Sequence, residues 1–194
     1  MRKYIAEIIG TFALIFCGTG AIVINEQTGG VITHVGVAAT WGLIVAAMIY
    51  TLGDISGAHF NPAVTIAFWV AKAFSSKEVL PYLISQGIGA FLASFALHYL
   101  FPTNETLGAS LPAGTDGQSF ILEFILTFLL MLTIIHVAKG SKEKGMFAGI
   151  AIGSVVLLEA MFAGPICGAS MNPIRSLSPA IVSGRTEHLW VYLT

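Results

Sequence analysis

The chain has 194 residues, of which 56% are hydrophobic and 10% charged, where soluble domains carry about 25% charged residues. Nine Lys and Arg against ten Asp and Glu leave a formal charge of −1, so there is no basic surface to hold nucleic acid, and two Cys supply neither a disulfide scaffold nor a zinc cluster. A soluble enzyme, a nucleic-acid binder and a secreted stapled domain are excluded in favour of an integral membrane protein.

A bilayer crossing needs roughly 20 apolar residues. Runs of that kind cover residues 4–24, 31–50, 79–101, 120–137 and 146–162. Glu7 is the only charge in the first run; Glu123 and His136 fall in the fourth, and Glu159 in the fifth. The first run is too long for a cleavable signal peptide and is interrupted by Glu7. The polar stretch 102–118 separates two halves. A sixth run opens at 189–193, and the last residue is Thr194. These few residues cannot cross a bilayer, so a longer native protein with a sixth span is expected.

Lys and Arg in short loops set orientation. Arg2, Lys3, Lys72, Lys77, Lys139, Lys142 and Lys144 fall on one side, and Arg175 and Arg185 on the other. That asymmetry puts the N-terminus in the cytoplasm and loops 25–30 and 102–118 outside. Asn104-Glu105-Thr106 matches a glycosylation sequon on the outer side, but so short a match is read as a chance occurrence.

Two segments repeat. Gly57, Ala58, Asn61 and Pro62 align with Gly168, Ala169, Asn172 and Pro173 at an offset of 111 residues, and Glu7 aligns with Glu123 at 116. The copies run from 4 to 101 and from 118 to 194, the second incomplete, within one membrane domain of residues 1–194. A repeat with three crossings inserts its second copy upside down, so the two Asn-Pro segments enter from opposite faces.

Asn is a favoured helix N-cap and Pro a favoured first helical residue. Short helices are therefore expected to start at Pro62 and Pro173, each about half the length a crossing requires. Meeting end to end near the midplane, they form one pseudo-span with both positive dipole ends at the centre. The glycine-rich stretches 53–57 and 164–168 are expected to be extended, which at membrane depth requires a cavity. Asn61 and Asn172 are expected to accept a backbone N–H through the side-chain carbonyl and turn the NH₂ into that cavity. The converging positive field opposes cations and protons.

With these residues in view, the sequence resembles the major intrinsic protein (aquaporin) family from Tyr4 to its last residue, most closely the plant nodulin-like branch and its bacterial relatives. Ala6-Glu7-Ile8-Ile9-Gly10-Thr11, the block 56–65, and Gly164-Pro165-Ile166-Cys167-Gly168-Ala169-Ser170-Met171-Asn172-Pro173-Ile174-Arg175-Ser176 carry the likeness. The resemblance implies an all-α fold of three spans plus one re-entrant half-helix per copy, one pore per subunit and usually four subunits. It places the constriction at Asn61, Pro62, Ala63, Asn172, Pro173 and Ile174, where Ile174 stands in place of the family's usual Ala. It places the selectivity filter at Trp41, Ala160, Ala169 and Arg175, found by spacing from the two asparagines. Strict water channels of the family tend to have a His where Ala160 stands.

The resemblance thus implies passive transport of small uncharged solutes (glycerol-like polyols and metalloid hydroxides such as arsenite, antimonite or boric acid) together with water. The alternative is a strict water channel. Membrane lipids and copies of itself in a homotetramer are the expected partners, in a plasma or bacterial inner membrane; no nucleic acid, cofactor or metal is expected. Glu7 and Glu123 are implied to brace the pore-lining loops. His59 is read as a satisfied hydrogen-bonding residue in preference to a pH-sensitive gate, and Glu159 as a core hydrogen-bonding group. Cys167 is a candidate for mercurial access from outside, and Cys17 for core packing. A coupled transporter would need an ion site, for which Glu159 and His136 are the unassigned intramembrane candidates. No nucleophile motif or metal-ligand spacing supports an enzyme.

Overall fold

The computed structural model describes residues 1–138 and 145–194. In chain order the helices described in full are α1 (Arg2–Gln27), α2 (Thr33–Ser56), α3 (Pro62–Val70), α4 (Ser76–Leu100), α5 (Asp116–Ala138), α6 (Ala148–Cys167), α7 (Pro173–Ser183) and α8 (Trp190–Leu193). Among the described residues, α1, α2, α4, α5 and α6 are long and apolar enough to cross a membrane. Between its ends, such a helix satisfies its backbone polar groups within its own segment, as hydrocarbon requires. The outward faces carry Leu43, Leu92, Phe95, Phe124, Leu158 and Phe162, all largely exposed, a surface suited to lipid chains and not to water.

The chain is an all-α membrane protein built as an inverted repeat: α1–α4 form the first copy, and α5–α8 the second. The copies meet where α2 crosses α6. A Cβ added at Gly42 would stand 2.5 Å from the Gly153 carbonyl oxygen, and one added at Gly153 would stand 2.5 Å from that of Gly42. These two glycines are themselves 111 residues apart, so they are equivalent positions touching across the pseudo-two-fold axis. Small residues at a helix crossing let backbones approach in a bilayer, where dispersion replaces the hydrophobic effect as the driving force.

One expectation needs correction. The stretches 53–57 and 164–168 are not extended throughout: α2 continues to Ser56, and α6 passes through Gly164 and Pro165 to Cys167. Gly57 and Gly168 then take left-handed conformations (φ 85° and 84°), and their N–H groups donate to the carbonyls of Gly53 and Gly164. A helix at membrane depth keeps its backbone bonds for as long as it can. Between each of these long helices and the short helix that follows, the irregular backbone is confined to residues 57–61 and 168–172.

The ends of the bundle are marked by polar contacts. Lys3 pairs with Glu78 at 2.8 Å, and the Tyr4 hydroxyl donates to the same carboxylate at 2.9 Å, so Arg2, Lys3 and Lys77 share one end. At the other end Asn104 donates to Glu26 at 2.9 Å, Arg185 to Glu105 at 2.9 Å and Trp190 to Asp116 at 3.0 Å. Lys139, Lys142 and Lys144, counted above for orientation, lie outside the described residues.

Candidate functional site

Each short helix begins as its sequence dictates. Asn61 has extended backbone (φ −156°), and its Oδ1 accepts from Ala63 N at 2.8 Å. Asn172 (φ −149°) accepts from Ile174 N at 3.2 Å and Arg175 N at 3.4 Å. Pro62 and Pro173 occupy the first helical positions, where no N–H is needed.

The two N-termini abut. Asn61 Nδ2 donates to the Met171 carbonyl at 2.7 Å, and Asn172 Nδ2 donates to the Phe60 carbonyl at 3.0 Å. The amide groups are therefore not wholly turned into the cavity, as the sequence suggested: one hydrogen of each NH₂ ties the copies together, and the other has no protein acceptor among the described residues.

The loops that carry the asparagines are held from behind. Ala58 and Phe60 in one, and Ala169 and Met171 in the other, have positive φ between 43° and 51°, a conformation costing roughly 1–2 kcal/mol for residues other than glycine. Glu7 offsets this cost in the first loop by accepting from His59 N at 3.0 Å and Phe60 N at 2.8 Å. Ser56 Oγ at 2.7 Å and Gln86 Nε2 at 2.8 Å complete its shell. Glu123 accepts from Ser170 N and Met171 N, both at 2.8 Å. Both carboxylates are buried and grip the N–H side of their loops. Such charge-assisted bonds are about twice as strong as neutral ones.

His59 is enclosed by Phe68, Phe74 and Tyr82, with ring centroids 5.0, 4.7 and 5.1 Å away, and its Nδ1 lies 3.1 Å from Thr65 Oγ1.

Arg175, in the first turn of α7, is 2% exposed. Its Nη1 donates to the Gly108 carbonyl at 3.1 Å and to Ser110 Oγ. Its guanidinium carbon lies 4.8 Å from the Trp41 ring centroid, within cation–π range. Trp41 in turn packs against α1 at Gly18, where an added Cβ would stand 2.5 Å from the indole. A cavity of about 700 Å³ brings Trp41, Ala160, Ala169 and Arg175 together with Asn61 and Asn172, and His59 also lines it. It extends to Tyr50, Asp54 and Met146 at the end of the bundle where α1 begins. Ser170 adds a further polar group, and apolar residues such as Leu14, Val45, Leu130, Ile152 and Val156 make up much of the remaining wall.

The remaining sequence-derived residues lie elsewhere. Ala63 and Pro173 border a second groove, beside Tyr192. Pro62 and Ile174 line neither hollow, and Ile174 is buried in the core.

Cys167 is fully buried and its Sγ points back to the Ala163 carbonyl at 3.5 Å, so the expectation that mercurials reach it is overturned. Glu159 is buried, but neither carboxylate oxygen has a hydrogen-bond partner among the described residues. This departs from the core hydrogen bond expected for it, and nothing in the structure explains it. Neither Glu159 nor His136 lines the cavity, and His136 bonds the Leu132 carbonyl in its own helix at 2.8 Å.

Sequence reasoning did not single out Ser110, Ser170, Ser176, Thr65 or Gln86, all buried around the site. For Thr65 and Ser176 a signal existed, since they are 111 residues apart, as are His59 and Ser170.

The family model described as "Major intrinsic protein" matches residues 1–194. Aquaporin NIP1-1 of Oryza sativa subsp. japonica is 50% identical over 194 residues, covering 100% of this chain and 68% of the relative. Nodulin-26 of Glycine max is 47% identical, covering 100% of this chain and 72% of the relative. Among solved structures, the X-ray structure of the aquaglyceroporin from Plasmodium falciparum superposes with a TM-score of 0.84 at 29% identity, covering 100% of this chain and 89% of that one. With matched half-helices meeting at two asparagines and a family model that spans every residue, the chain belongs to the major intrinsic protein family of membrane channels for water and small solutes, which are not enzymes.

Proposed function

We propose that the protein is a passive channel for glycerol-like polyols and for metalloid hydroxides such as arsenite and boric acid, with water as co-permeant and with ions and protons excluded. One observation carries this reading: the Arg175 guanidinium lies over the Trp41 indole, with Ala160 and Ala169 on the same cavity. Polyols and metalloid hydroxides are neutral molecules with hydroxyls on a compact frame. In such a slot the hydroxyls meet the arginine's free donors while the carbon or metalloid side rests on the indole. Two alanines leave room that a larger, polar side chain would fill. The similarity to an aquaglyceroporin supports the same class of solute.

Exclusion of charge follows from electrostatics. Two helix N-termini, each equivalent to roughly half a positive charge, converge at Asn61 and Asn172, and Arg175 adds a full one. A cation would meet this field in an apolar tube with few groups to replace its hydration, and a proton hopping along a water file meets the same barrier. The working unit is a homotetramer in a plasma or bacterial inner membrane, with the Lys3 end in the cytoplasm by the positive-inside rule.

Stopped-flow light scattering on liposomes holding the full-length protein tests the reading. Shrinkage and re-swelling with glycerol and with arsenite are expected. Water flux without either solute overturns it in favour of a strict water channel.

A further inference from the structure

Three buried serines link the filter to the constriction. Arg175 Nη1 donates to Ser110 Oγ; Ser110 Oγ lies 2.7 Å from Ser176 Oγ, and Ser176 Oγ 2.6 Å from Ser170 Oγ. Ser170 Oγ donates to the Asn172 carbonyl at 3.0 Å. A guanidinium can only donate and a carbonyl can only accept, while each hydroxyl has one hydrogen to give. The direction of every link is therefore fixed: Arg175 to Ser110 to Ser176 to Ser170 to Asn172. Hydrogen bonds aligned in this way polarise and strengthen one another.

The first copy shows that this chain is a departure from the shared design. There, His59 and Thr65 stand where Ser170 and Ser176 stand in the second copy. The pair is closed off by Gln86, which donates to Thr65 at 3.0 Å and to Glu7 at 2.8 Å. Only in the second copy does the pair open toward the filter, through Ser110.

Ser110 sits on a connection held firmly from both sides. Asn104 and Thr106 both donate to Glu26, at 2.9 and 3.2 Å. Gly108 (φ 70°) lies so close to Thr19 that an added Cβ would stand 3.0 Å from its carbonyl oxygen. Ala113 N donates to the Ile166 carbonyl at 2.9 Å. Both hydrogens of Arg175 Nη1 are consumed by this connection, at Gly108 and Ser110, whereas Nη2 and Nε have no protein acceptor among the described residues.

We propose that Ser110 is a positioning residue that sets solute specificity: it holds one edge of the Arg175 guanidinium out of the slot and leaves the other edge for the permeant. Without its hydroxyl, one Nη1 hydrogen has no acceptor in a dry wall, and the guanidinium turns that edge into the cavity. The slot narrows, and a polyol is obstructed more than water.

The test uses the full-length protein in liposomes, with stopped-flow permeability to water, urea and glycerol and a thermal melt for each variant. Ser110→Ala is expected to lower the glycerol-to-water permeability ratio about tenfold, the effect of a single charge-assisted hydrogen bond. Ser110→Thr keeps the hydroxyl and should keep the ratio. Ser94→Ala removes a buried hydroxyl from the Ser94–Ser178 pair between α4 and α7 (3.0 Å); it should lower the melting temperature and leave the ratio alone. An unchanged ratio in Ser110→Ala overturns the proposal, as does a Ser110→Thr variant that shifts equally far. The glycerol readout rests on the polyol reading above. If the wild type passes water only, that reading fails by itself, and water permeability decides on Ser110: Ser110→Ala must lower it and Ser110→Thr must keep it, and equal permeability in all three overturns the proposal.

Discussion

Asn61 and Asn172 each donate to the carbonyl that immediately precedes the other, at 2.7 Å to Met171 and 3.0 Å to Phe60. Capping and cross-bonding are thus performed by the same two side chains, with the carbonyl oxygen turned toward its own helix and the amide toward the opposite loop. Asn61→Ala removes both at once. The cap alone contributes about 1 kcal/mol, and a buried carbonyl left unpaired adds about 1–3 kcal/mol. Melting temperatures in detergent should fall for both Asn61→Ala and Asn172→Ala; either variant melting as wild type would contradict the reciprocal arrangement.

Glu7 and Glu123 are the acceptors that keep two strained loops in place. Glu7→Gln substitutes an NH₂ for an oxygen that faces backbone N–H groups, so a donor meets donors. A loss of about 3 kcal/mol is expected, given about 1.5–3 kcal/mol for each charge-assisted bond. Chemical denaturation in micelles measures it. Water permeability per folded subunit should fall too, because the carbonyls of the loop lose their orientation.

The crossing of α2 and α6 tolerates no side chain. Gly42→Val and Gly153→Val place carbon atoms against a backbone carbonyl 2.5 Å away, and backbone cannot rotate aside as a side chain can. Overpacking costs of about 3 kcal/mol or more follow. Yield and size-exclusion profile should deteriorate for each, whereas Gly87→Ala, at a glycine with nothing within 4 Å, should behave as wild type.

The proposed filter is tested by Ala160→His. An imidazole beside Arg175 and Trp41 fills the slot, and a barrier higher by about 1.4 kcal/mol lowers glycerol permeability about tenfold while water continues to pass. Arg175→Ala removes the fixed positive charge, and proton leak into liposomes loaded with a pH dye should rise.

Cys167 provides a negative test. With its thiol fully buried behind the loop, a membrane-impermeant mercurial applied from either side should leave water flux unchanged. Inhibition that disappears in Cys167→Ser would show the sulfur to be reachable.

Much of this was legible in the sequence because it is written twice. The Asn-Pro pairs, Glu7 with Glu123 and the lengths of the short helices all follow from the repeat and from capping chemistry. What repetition could not reveal lies in segments without a counterpart. The connection bearing Gly108 and Ser110 joins the two copies, so no internal comparison exposes its grip on Arg175. Glycine density before each asparagine suggested extended chain, but glycine is tolerated in a helix when the alternative is unpaired backbone in hydrocarbon. Spacing from Asn172 selected Arg175 and Ala169, yet distance along the chain says nothing of which way Cys167 points. That depends on its place in the last turn of α6, where the thiol turns back to the Ala163 carbonyl.

The reciprocal bonds between Phe60-Asn61 and Met171-Asn172 have the character of an isologous interface, one that other molecules form between separate subunits and that here is closed inside one polypeptide. Loss of either asparagine therefore leaves an orphaned carbonyl in the opposite loop, so damage to one copy is transmitted to the other.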